Sequence, residues 1–83
     1  MSPAGAARSG ARRATLVFDS TTAVFWAEEV AEDAGIPVEV VPAPAESAAK
    51  CDLALETSVR RVDALEAALT EEGVPYRRWQ ASD

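Results

Sequence analysis

The sequence predicts an α+β domain of order βαββαβ, a ferredoxin-like sandwich in which two helices cover one face of a four-stranded antiparallel sheet. Three observations carry this expectation. Two segments place apolar residues at helical spacing, and four short β-type runs flank them. A helix-to-strand junction also occurs twice, as Gly35-Ile36-Pro37-Val38 and Gly73-Val74-Pro75-Tyr76, 38 residues apart. Eighty-three residues suffice for one domain. With 48% hydrophobic and 27% charged residues, the composition is that of a globular chain rather than a disordered one.

Residues 1–13 (MSPAGAARSGARR) hold no apolar side chain larger than Ala after Met1 and read as a flexible basic tail. The ferredoxin-like domain is expected over 14–83. The first strand is Thr15-Leu16-Val17-Phe18, with Leu16 and Phe18 on one face. Asp19-Ser20-Thr21-Thr22 offers N-caps to a helix that runs to about Ala34, with Gly35 suited to the left-handed position after it. Ala23, Val24, Ala27, Val30, Ala31 and Ala34 share its apolar stripe, and Glu28, Glu29, Glu32 and Asp33 lie opposite. Trp26 falls at the border, while Phe25 projects towards the acidic side.

Pro37 opens and Pro42 closes a second strand, Val38–Val41, and an irregular Ala-rich loop follows to Asp52. The third strand is Leu53–Glu56. Thr57 or Ser58 then caps a second helix through Glu72, whose buried stripe is Val62, Leu65, Ala68 and Leu69. Gly73 ends it, and Tyr76–Trp79 forms the last strand, with its Tyr and Trp facing opposite ways. Right-handed crossovers then give the strand order fourth, first, third, second.

Charge and residue counts exclude several function classes. The net charge is −6, and three arginines of the tail (Arg8, Arg12, Arg13) leave five basic and fourteen acidic residues in 14–83, a balance of −9 there. A pI near 4.5 lacks the electrostatic footprint of a nucleic-acid binder, so no nucleic-acid partner is expected. The chain has no histidine, hence no imidazole base and no histidine metal ligand. Its one cysteine, Cys51, excludes an internal disulfide, a CxxC pair and a cysteine-built metal site within one chain. No metal or cofactor is expected. No apolar run approaches a membrane span and no signal-peptide core is seen, so no membrane association is expected and the cytoplasm is the compartment in which a lone thiol stays reduced.

The expected topology singles out Cys51. The third strand runs antiparallel to the first, so its start lies beside the first strand's end, which is also the start of the first helix. Cys51 is therefore expected near Ser20, Thr21 and Thr22, where free N–H groups and the helix dipole favour an anion such as a thiolate. Lys50 adds positive potential, and Asp19 and Asp52 oppose it. The bland reading of Cys51 is a small buried hydrophobe at a strand edge. Ser20, Thr21 and Thr22 have caps as their bland reading. Phe25, exposed near this end, is a candidate partner contact, and the acidic helix faces are either solvated surface or a docking patch for a basic partner. Arg60-Arg61 and Arg77-Arg78 are too short to argue for phosphate binding.

From Leu16 to about Trp79 the chain resembles the putative selenium/sulfur carrier-like family of small bacterial domains. The residues that carry the resemblance are Phe18-Asp19-Ser20-Thr21, Ala34-Gly35-Ile36-Pro37-Val38, Val41-Pro42-Ala43-Pro44, Cys51-Asp52-Leu53-Ala54-Leu55 and Glu72-Gly73-Val74-Pro75-Tyr76. Asp52 departs from the glycine that follows the cysteine in that family. Thr22 and Ala23 depart from its polar, often His-containing, positions at the helix start. The resemblance implies a carrier that takes sulfur or selenium as a persulfide or selenosulfide on Cys51 and hands it on, rather than an enzyme acting alone. Ser20, Thr21, Thr22 and Lys50 would stabilise the anion, and a cysteine desulfurase or another sulfur-relay protein would be the donor. The alternative is a non-catalytic interaction or regulatory module in which Cys51 is inert and Tyr76 or Trp79 meets a partner.

Overall fold

The computed structural model describes residues 12–79, so residues 1–11 of the basic tail and the last four residues lie outside the described part. Its elements are β1 (Arg13–Val17), α1 (Thr21–Asp33), β2 (Glu39–Pro42), a 3-10 turn (Ala45–Ser47), β3 (Leu53–Ser58), α2 (Val59–Glu72) and β4 (Arg77–Trp79). The four strands form one antiparallel-paired sheet of order β2-β3-β1-β4, the expected ferredoxin-like order read from the other edge. β1 begins two residues before the expected Thr15, because Arg13 pairs with Ser58 across the sheet and its guanidinium meets Glu56 at 3.2 Å and Glu39 at 3.4 Å. Arg13 thus belongs to the sheet rather than to the basic tail.

Alternation along β1 and β3 places Leu16 opposite Leu55 on the helix-covered face. There Leu16, Phe18, Leu55, Val24, Leu65 and Leu69 are the centre of a single core. α1 buries Ala23, Val24, Ala27 and Ala31, whereas Val30 is half-buried and Ala34, expected on the stripe, is exposed as the residue that caps the helix. α2 buries Val62, Leu65 and Leu69, with Ala68 half-buried. Tyr76 packs against this core and Trp79 pairs with Thr15 on the opposite face, so the two aromatics diverge as expected.

The helix ends differ from one another. Ser20 caps α1, its Oγ accepting from the Ala23 N–H at 3.1 Å. Ser58 occupies the N-cap position of α2 but makes no side-chain cap bond; the Val59 N–H instead donates to the Arg12 carbonyl at 3.0 Å. Thr57, the other expected cap, is buried in β3 and donates its hydroxyl to the Pro37 carbonyl at 2.8 Å, which extends the strand past Glu56. The two repeated junctions do match: Gly35 and Gly73 take φ of 73° and 80°, and Ile36 and Val74 behind them are buried.

Charge is set against both helix dipoles. Neither helix has an acidic residue in its first turn or a basic one in its last, and each ends in a carboxylate pair, Glu32-Asp33 and Glu71-Glu72. Two adjacent substitutions at the end of α2 are therefore expected to have opposite signs. Glu72→Lys should raise stability by about 0.5 kcal/mol by placing a cation at the helix C-terminus. Gly73→Ala should lower it by about 1 kcal/mol from left-handed backbone strain alone, since a Cβ there meets nothing within 4 Å. Urea unfolding of the two variants measures both.

Candidate functional site

The β1–β3 pairing brings the start of β3 under the start of α1. Val17 pairs with Ala54, so the residues that follow Val17 and those that precede Leu53 meet at one end of the sheet. There the Thr21 Oγ1 lies 3.6 Å from the Cys51 Sγ, close enough for a hydrogen bond in which either atom donates. The Leu53 N–H also donates to the sulfur, at 3.4 Å. Thr21 is exposed and Cys51 is 5% exposed, so the sulfur lies directly beneath a surface hydroxyl. One N–H that donates to the sulfur and one hydroxyl within hydrogen-bond reach of it, beside a helix N-terminus, are groups that can both donate to a thiolate.

The remaining expected site residues divide. The Ser20 hydroxyl oxygen is engaged as the helix cap. Thr22 is exposed and faces outward with Phe25 and Glu29 rather than towards the sulfur. Lys50 is exposed and, among the described residues, forms no ion pair. Asp19, expected to oppose an anion, is turned to Arg77 at 3.8 Å, which offsets its charge. Phe25 is exposed, at 51% of its surface.

Two contributors were not anticipated from sequence. Arg77 reaches the start of α1 because β4 pairs with β1 in the register Val17 to Arg77; there Arg77, Asp19, Ser20 and Tyr76 help to line a small pocket of about 130 Å³. The expected strand order already implied this neighbourhood. The second is Ser47, for which the Ala-rich loop carried no periodic signal. Ser47 is buried; its hydroxyl donates to the Pro44 carbonyl at 2.7 Å and accepts from the Ala49 N–H at 3.3 Å. The Ala43 N–H to Asp52 carbonyl bond, at 2.8 Å, closes the base of the same loop. Between these ties Ala48 holds φ of 58°, a left-handed conformation that costs an L-residue about 1 kcal/mol.

Among the described residues no three His, Cys, Asp or Glu side chains cluster as metal ligands. No helix there is long and apolar enough to cross a membrane.

A β-α-β-β-α-β sandwich with a single thiol at the mouth of its first helix is the frame into which the comparisons with known proteins fall. Residues 13–79 match the family described as putative Se/S carrier protein-like, and the chain belongs to that family. No curated protein and no solved structure matches it.

Ser47 is expected to govern access to the sulfur. Ser47→Ala removes two loop hydrogen bonds of about 1 kcal/mol each, so the loop opens more often. Native-state modification of Cys51 by a disulfide reagent should then run about thirtyfold faster than in the parent chain, and the unfolding midpoint should fall as well, because both bonds are lost from the folded state.

Proposed function

We propose that the chain carries sulfur or selenium on Cys51. The observation that carries this reading is the Cys51 sulfur held 3.6 Å from the Thr21 hydroxyl at the start of α1, in a chain of the Se/S carrier-like family. In the loading step the Cys51 thiolate attacks the outer sulfur of a donor persulfide, R–S–SH. A Cys51 Sγ–S bond forms, the donor S–S bond breaks, and the donor leaves as its thiolate. No net oxidation occurs, since the sulfane sulfur only changes partners, and a donor selenosulfide reacts in the same way to give Cys51–S–Se⁻. The Thr21 hydroxyl and the Leu53 N–H donate to the attacking thiolate. Delivery is the reverse attack by an acceptor thiol. A cysteine desulfurase or another sulfur-relay protein is the donor in this reading, since such proteins present a persulfide, and the cytoplasm is a compartment that keeps the carrier thiol reduced.

A second reading has a specific observation in its favour. Cys51 is only 5% exposed and belongs to the hydrophobic core, as an inert cysteine in a non-catalytic interaction module would. Incubation with a cysteine desulfurase and cysteine, followed by intact-mass measurement, separates the two. The carrier reading expects a gain of one sulfur atom on the parent chain and none on Cys51→Ser. Equal mass gain on both, or no gain on either, assigns Cys51 to the core alone.

A further inference from the structure

The outer surface of the helix layer combines apolar side chains with uncompensated negative charge. Phe25 and Trp26 are 51% and 41% exposed, and with Val59 they are the exposed large hydrophobic residues of the described chain. Trp26, Val30, Ala34 and Ala68 contribute apolar surface to a groove of about 350 Å³ between α1 and α2, whose acidic rim is Glu29, Asp33, Glu71 and Glu72. A second hollow beside it runs from Thr22 and Phe25 past Glu28, Glu29 and Glu32. No basic residue lines either hollow. Among the described residues none of these six carboxylates is in an ion pair, whereas Asp19, Glu39, Glu56, Asp63 and Glu66 all are.

Several local preferences are violated on this one surface. Glu28 and Glu32, and Glu29 and Asp33, are like charges at i,i+4. Both helices end in carboxylates against their own dipoles, and two neighbouring aromatics stand in water. A cation placed here relieves the first two costs, and an apolar side chain in the groove relieves the third. We infer that this surface docks a separate protein partner through a cationic amphipathic helix, its apolar side chains in the groove beside Trp26 and its Lys or Arg residues on the surrounding carboxylates.

Charge complementarity selects this occupant over the others. A second copy would set acidic rim against acidic rim. Residues 1–11 of this chain carry one arginine and, after Met1, nothing apolar larger than Ala, so they cannot fill the groove. Thr22 at one end of the surface follows Thr21, which touches Cys51, so a docked helix ends close to the sulfur. The docking itself does not depend on sulfur chemistry, and its failure would leave the carrier reading untouched.

The test is fluorescence anisotropy of a labelled 16-residue Leu/Lys peptide with amphipathic helical patterning, titrated with the full chain. A scrambled peptide of the same composition and a Leu/Glu peptide serve as controls. The amphipathic Leu/Lys peptide is expected to bind at least tenfold more tightly than the scrambled one, and the Leu/Glu peptide not at all. Glu29→Lys/Glu72→Lys and Phe25→Ser/Trp26→Ser should each weaken binding at least tenfold. Glu46→Lys/Asp52→Lys, which changes net charge equally but lies off this surface, should leave it within about threefold. Because Glu72→Lys is expected to stabilise the fold, loss of binding there is not loss of structure. Equal binding of the patterned and scrambled peptides, or equal weakening by both lysine pairs, overturns the inference in favour of bulk attraction. Self-association in sedimentation that Phe25→Ser/Trp26→Ser abolishes overturns it in favour of a second copy.

Discussion

Antiparallel pairing of β1 with β3 is the constraint on which the other features depend. It sets Leu16 against Leu55 under the helices, which makes the core continuous across the two halves of the chain. The same register carries the end of β1 to the start of β3, and so delivers the α1 N-terminus to Cys51 from thirty residues away. A slip of one residue would turn Leu16 and Phe18 out of the core and part Thr21 from the sulfur. Core and site are thus specified by one set of hydrogen bonds. Arg13 guards the register from the far end of the strand, where it bridges Glu39 on β2 and Glu56 on β3.

The thiol is at once part of the core and hydrogen-bonded at the start of the first helix. Burial at 5% shields the sulfur from indiscriminate oxidation, while the Thr21 hydroxyl lies within hydrogen-bond reach of it and the Leu53 N–H donates to it. The Ser47 hydroxyl ties the loop that leads to Cys51 to itself, through Pro44 and Ala49, around a left-handed Ala48.

Charge is distributed unevenly for a structural reason. Basic residues of the sheet are spent on ion pairs within the fold: Arg13 with Glu39 and Glu56, Arg77 with Asp19, Arg78 with Asp63 and Glu66. Glu66 is the most buried of these carboxylates; its Oε1 accepts from the Tyr76 hydroxyl at 3.3 Å, while its Oε2, without a hydrogen bond, faces Arg78 at 3.5 Å. Of the described carboxylates left without an ion pair, Glu28, Glu29, Glu32, Asp33, Glu71 and Glu72 are gathered on the outer faces of the helices, around Phe25 and Trp26, and Glu46 and Asp52 lie apart in the loop before β3.

The element order, the helical stripes and the duplicated glycine junction were legible in the sequence because each is a local pattern: periodicity in the helices, a left-handed position after each, and alternation in the strands. The neighbourhood of Cys51 was legible too, since topology follows from element order. Local patterns failed where the partner was distant. Ser58 looked like a cap, but the Val59 N–H takes the Arg12 carbonyl from another element, and Arg13 looked like tail until Glu39 and Glu56 gave it a place in the sheet. Thr22 and Thr21 are alike in sequence; only the helix phase turns Thr21 to the sulfur and Thr22 outward. Sequence alone determined the type and order of the strands and helices and which thiol is available. Tertiary structure decided how deeply that thiol is buried and that the Thr21 hydroxyl meets it, because burial and such contacts join segments far apart in the chain.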